Sequence, residues 1–134
     1  MGRCQVVSVD VTGDTSIRGD DLRVKIREAR VLFRTGTFPD PDRWNTDFAA
    51  VSATLVHTLA DCGVRLVGID TPSVDLFASK DLPAHAACVA RGVRVLEGIV
   101  LDGVADGTYE LIALPLRLEG FDASPVRAVL RDLA

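Results

Sequence analysis

Residues 52–70 read "SATLVHTLADCGVRLVGID". Leu55, Val56, Leu59 and Cys62 recur at i, i+1, i+4 and i+7, the spacing of one helical face. Gly63 supplies the left-handed stop that ends such a helix. "VRLVGID" (64–70) is then a near-continuous apolar run, the pattern of a strand buried on both faces of a parallel sheet. A helix that feeds straight into a buried strand is one step of an interleaving of strands and helices, which puts the chain in the α/β class. The polar loop "TPSVDLFASKDLP" (71–83) leaves the C-terminal end of that strand, where open α/β sheets place ligands.

The same alternation extends upstream. "RCQVVSVDV" (3–11) is Val-rich and alternating, a strand. "GDDLRVKIREA" (19–29) reads as a short helix with Asp20 or Asp21 as N-cap. "RVLFRTG" (30–36) reads as a strand ending at Gly36, and "TFPDPDRWNTDF" (37–48) as a loop. Downstream, "AHAACVARG" (84–92) is a short helix stopped by Gly92, and "VRVLEGIVLDGV" (93–104) is strand-like. "TYELIALPLRLEG" (108–120) is a strand whose Pro115 favours an edge or a bulge. "SPVRAVLRDL" (124–133) reads as a strand, or as one helical turn followed by a strand. The expected architecture is α/β with a mixed sheet.

The chain has 134 residues, 48% hydrophobic and 25% charged, enough for one domain with a sizeable core. Mean hydropathy is +0.24, on the apolar side, which suggests strands buried on both faces or a buried partner surface. No apolar run approaches the roughly 20 residues that span a bilayer, and the first ten residues carry no signal-peptide core. Net charge is −4 with no basic block, so neither a nucleic-acid nor a membrane partner is expected. Cys4, Cys62 and Cys88 lack metal-finger spacing and are odd in number, which reads as reduced thiols in a cytoplasmic protein. Cys62 and Cys88 are expected on apolar helical faces, and no base partner marks either as a nucleophile.

Few polar residues fall where the apolar pattern does not need them. Asp70, Ser73 and Asp75 stand in the loop after the buried strand, where such residues commonly cap turns. His57 lies on the 52–63 helix and reads as a partly buried helical histidine. Arg34, Arg65 and Arg127 fall in or beside strands, where arginine pairs with a carboxylate of the protein or of a ligand. His85 and Glu97 stand out: each sits in an apolar stretch that requires neither. A carboxylate in such surroundings needs a cation, a metal or hydrogen-bond donors. Imidazole and carboxylate together suit zinc or manganese, although a complete site takes three or four protein ligands.

"RVLFRTG", "GVRLVGIDTPSVD" and the run from "SKDLPAHAACVARG" to "SPVRAVLR" together resemble the bacterial kynurenine formamidases, a metal-dependent cyclase family. The resemblance covers nearly the whole chain, from about Cys4 to Arg131. It implies a swivelling β/β/α fold, a homodimer, and a site for two divalent ions, usually zinc, with manganese possible. It implies hydrolysis of N-formyl-L-kynurenine, a small-molecule substrate, to L-kynurenine and formate in tryptophan degradation. The family's histidine and glutamate ligands twelve residues apart map onto His85 and Glu97 (97 − 85).

The family's remaining ligands and its catalytic histidine belong to an H-x-G-T-H-x-D-x-P-x-H segment that precedes the first strand found here. The expectation is therefore a single cyclase-like domain over 1–134 that is incomplete at its N-terminus, with no catalytic residue assignable within it. Such a chain is expected to show no turnover alone and to self-associate. The alternatives are a short, non-catalytic relative serving as a binding or dimerisation module, or an assembly in which another chain completes the site.

Overall fold

The protein is described by a computed structural model covering residues 1–133. Its main sheet has six strands in the order β6-β5-β3-β1-β7-β8. These are β1 (Gly2–Ser8), β3 (Arg30–Arg34), β5 (Leu66–Ile69), β6 (Arg94–Leu96), β7 (Gly107–Ile112) and β8 (Val129–Arg131). Strands β1, β3, β5 and β6 run parallel, and β7 and β8 join antiparallel. The sheet is thus mixed, as expected. A separate ladder pairs β2 (Ser16–Ile17) with β4 (Ala50–Val51).

Side chains alternate across the main sheet. Val7, Val31, Phe33, Val67 and Ile69 point to one face, where they pack against helices α1 (Ala53–Asp61) and α2 (Pro83–Arg91). Cys4, Val6, Leu32 and Leu111 point to the other, where Leu101 and Ile99 cover them. Both faces of β1, β3 and β5 are buried, which is why these strands carry apolar residues in succession.

Helix α1 begins at Ser52, whose Oγ accepts the Leu55 N–H at 3.2 Å. It ends one residue earlier than the apolar spacing predicts. Cys62 is the C-cap rather than part of the helical face, and it is exposed. His57 is also exposed, not partly buried. Helix α2 ends at Gly92, φ +62°, the left-handed C-cap its sequence announces.

Three other expectations are corrected. Residues 19–29 form a single 3₁₀ turn at Gly19–Asp21, not a helix. Asp21 accepts the Arg18 N–H at 2.7 Å, and Gln5 of β1 takes the following backbone, donating to the Lys25 carbonyl and accepting from the Arg27 N–H. Those groups bond sideways to the sheet and are lost to a helical ladder. The strand expected over 93–104 stops at Leu96, before the left-handed Gly98 (φ +64°). The strand expected over 108–120 stops at Ile112, short of Pro115, and it is an inner strand. The edge on that side is β8, so 124–133 contains a three-residue strand and no helical turn. The 37–48 loop is less open than it reads, since Phe38 and Phe48 pack edge-to-face with Trp44, which in turn meets Phe77.

Among the described residues, no helix is long and apolar enough to cross a membrane.

Candidate metal centre

The four parallel strands all deliver their C-terminal ends to one edge of the sheet. The loops leaving that edge carry Asp70, Ser73, Asp75 and Glu97, and α2 brings His85 to the same place.

Asp70 serves the backbone. Its carboxylate accepts the Thr35 N–H at 2.8 Å, the Thr35 hydroxyl at 2.7 Å and the Gly36 N–H at 2.9 Å. It latches the end of β3 to the end of β5. Thr71, fully buried, donates from its hydroxyl towards the Ala49 and Ser73 carbonyls. The Ser73 hydroxyl accepts the Asp75 N–H at 3.1 Å. The Val51 N–H donates to the Val74 carbonyl at 2.8 Å, tying this loop to β4.

His85 and Glu97 come together, as their residue types suggest. The His85 Nε2 lies 3.3 Å from the Glu97 Oε1. Their side chains keep 37% and 30% of their surface exposed, so both remain reachable from solvent. Glu97 sits in the bend just past β6 rather than within a strand. Its Oε1 accepts the Val74 N–H at 2.8 Å, which holds the carboxylate towards the imidazole. On the far side of the ring, Nδ1 lies 2.8 Å from the Asp75 Oδ2. Asp75 is only 3% exposed and also accepts the backbone N–H groups of Ala84 (2.8 Å) and His85 (3.0 Å).

Sequence reasoning placed Asp75 among three loop candidates but missed its link to His85. A faint signal was present. Pro83 opens α2, and the residue before it is Leu82, which cannot cap. Free N–H groups at such a start must find an acceptor elsewhere, and Asp75 is that acceptor.

The donor set suits part of a metal site. Two ligands at about 2.0–2.1 Å from a tetrahedral ion stand about 3.3 Å apart, which matches the Nε2–Oε1 separation. Nδ1 is engaged by a carboxylate, one of the partners that fix the outer nitrogen of metal-binding histidines. Among the described residues, however, no group of three or more His, Cys, Asp or Glu is placed to hold an ion. His57 lies away on α1 and adds nothing.

The arginines split. Arg34 pairs with Asp106 at 3.4 Å and donates to the Ser8 hydroxyl, whereas Arg65 and Arg127 make no ion pair among the described residues. Burial pushes the Cys4 thiol up, and burial with the nearby Asp75 and Glu97 pushes Cys88 up to about 11. Both thiols are protonated at neutral pH, which removes them as nucleophiles.

The Cyclase family model matches residues 1–76. A kynurenine formamidase of Sphingopyxis alaskensis is 45% identical over 135 aligned positions, covering all of this chain and 65% of the relative. Another, from Delftia acidovorans, is 57% identical over 106 residues, 79% of this chain and 50% of that protein. The chain thus spans between half and two-thirds of the length of these curated relatives. A solved structure described as a potential metal-dependent hydrolase with cyclase activity superposes with a TM-score of 0.85 at 34% identity, over 96% of this chain and 64% of the other. A predicted metal-dependent hydrolase from Bacillus stearothermophilus gives 0.84 at 34% identity, over 96% and 62%. With its mixed α/β sheet and its matched first 76 residues, the chain belongs to the cyclase family.

Proposed function

We propose that this chain carries part of the metal centre of a kynurenine-formamidase-type amide hydrolase, which converts N-formyl-L-kynurenine and water to L-kynurenine and formate. The observation that carries the reading is the His85–Glu97 pair, two donors at tetrahedral ligand spacing whose outer contacts are already fixed. The names of the relatives supply the substrate class.

His85 would give Nε2 and Glu97 a carboxylate oxygen to a divalent ion, zinc or manganese. Such an ion polarises an amide carbonyl and makes water a nucleophile near neutral pH. The chain's own part is to hold those two donors at the open edge of the sheet. Val74 keeps the Glu97 carboxylate in place through its N–H. At least one further ligand must complete the centre, since a catalytic zinc takes three from protein.

The free cysteines support a reducing, cytoplasmic setting. The exposed apolar side chains Leu114, Leu116 and Phe121 support assembly as a homodimer. We read residues 1–134 as one cyclase-like domain.

Zinc titration followed by NMR tests the ligand assignment, because the chain has only two histidines. The ring signals of His85 are expected to shift and those of exposed His57 to stay. The shift is expected to weaken strongly in Glu97→Ala. N-formyl-L-kynurenine hydrolysis by this chain with added zinc is expected to stay at background, because two ligands hold an ion poorly. Zinc that leaves His85 unmoved, or hydrolysis that survives loss of both His85 and Glu97, refutes the assignment.

A further inference from the structure

We infer that Asp75 is a positioning residue that decides which ring nitrogen of His85 is free to take a metal ion; this rests on the reading of His85 as a ligand. Asp75 is buried at 3% exposure, and its carboxylate meets two backbone N–H donors and the ring of His85. Its Oδ1 accepts the Ala84 N–H at 2.8 Å. Its Oδ2 accepts the His85 N–H at 3.0 Å and faces the ring Nδ1 at 2.8 Å. Both flanking carboxylates only accept, but the Asp75 oxygen is the nearer of the two, at 2.8 Å, so the single proton of the neutral ring stands on Nδ1. Nε2 then keeps its lone pair, on the side where Glu97 lies 3.3 Å away.

The hold is built into the backbone as well. Leu82 adopts φ +47° before Pro83, a left-handed conformation that a leucine avoids unless its surroundings impose it. The Leu82 N–H donates to the Ser79 hydroxyl, and the two N–H groups that follow Pro83 reach Asp75. The start of α2, and with it His85, is therefore anchored to one remote carboxylate. The neighbouring Val74 N–H holds Glu97. Two consecutive residues of one loop thus set the two donors.

Asparagine cannot replace this carboxylate. Its single oxygen can serve either Ala84 or His85, and its NH₂ group would face an N–H at the other position. If the oxygen serves Ala84, the NH₂ group faces Nδ1 and drives the ring proton to Nε2. Asp75→Asn is therefore expected to scramble or reverse the tautomer of His85. It is also expected to weaken zinc binding about 10–100-fold, the usual cost of losing such a partner.

The test is ¹⁵N NMR of the two imidazoles at a pH where both are neutral, with exposed His57 as the internal reference for an unheld ring. The expected result is Nδ1–H at His85 in the natural chain and loss of that preference in Asp75→Asn. A natural chain with its proton on Nε2 overturns the proposal, and this reading stands even if the variant does not fold. An Asp75→Asn protein that keeps both the tautomer and the zinc affinity also overturns it. A held Nδ1–H tautomer together with zinc that never shifts His85 upholds the grip of Asp75 and refutes the ligand reading alone.

Discussion

Cys88 lies one turn along α2 from His85 and is almost fully buried, at 2% exposure. Burial, reinforced by the negative charge of Asp75 and Glu97, holds its thiol up at about 11. Cys4, in β1, is raised mainly by burial. Reaction with a disulfide reagent needs both thiolate and access, and these two residues offer neither. Cys62 caps α1 in the open. A thiol-labelling time course on the native protein is therefore expected to show one fast equivalent, absent in Cys62→Ser. Two more should appear only on unfolding. A second fast equivalent in the native state would contradict the burial of Cys4 or Cys88. The apolar spacing 55, 56, 59 and 62 reads all four as one face, and the first three are indeed buried. The period assumes that the helix continues, but the helix stops at Asp61 and turns Cys62 outward. The Asp75–His85 contact was illegible for a different reason. It joins a loop to a helix start, and no periodicity encodes such a pairing.

Among the elements, β5 explains why a glycine stands in a central strand. In register, Gly68 lies between Leu32 of β3 and Leu96 of β6. A Cβ there would come within 2.4 Å of the Leu32 Cδ2 and 3.2 Å of the Ile99 Cδ1. Leu32 is 1% exposed, in a packed cluster with Cys4, Val6 and Leu111, so it has little room to yield. Gly68→Ala is expected to cost about 1–3 kcal/mol, the usual penalty of overpacking, read as a lowered urea midpoint with an unchanged slope. An unchanged midpoint would show that Leu32 repacks freely. Because Glu97 follows Leu96 directly, any displacement of β6 by that methyl group also moves a proposed ligand.

The parallel core was legible element by element, because β5 and α1 advertise themselves through apolar spacing and clear stops. The 19–29 segment was not. Its helical pattern is real, but Gln5 of β1 claims the backbone of Lys25 and Arg27, a tertiary contact that local propensity cannot foresee. The β2–β4 ladder went unseen because each strand is only two residues long. Glu97 is legible by residue type but not by element, since the strand-like pattern runs on past the end of β6 at Leu96.

At the scale of the molecule, apolar surface is unevenly spread. The helix-covered face of the sheet is closed, but the segment between β7 and β8 runs along the outside with its large side chains open. Phe121 is 72% exposed, Leu114 63% and Leu116 58%. Val129 of the edge strand β8 is exposed as well. Scattered exposed leucines are ordinary, but several on one segment beside an unpaired strand edge favour association. Sedimentation velocity is expected to show concentration-dependent association of this chain. Replacing Leu114, Leu116 and Phe121 together by lysine should shift it to monomer. Because these side chains are exposed, each change should alter stability by about 0.5 kcal/mol or less, so a loss of association could not be blamed on unfolding. The zinc response of His85 should survive in that variant, since the segment contributes no residue to the pair. A natural chain that sediments as a single monomeric species at every concentration would show that this surface is not used, and the homodimer reading would fall with it.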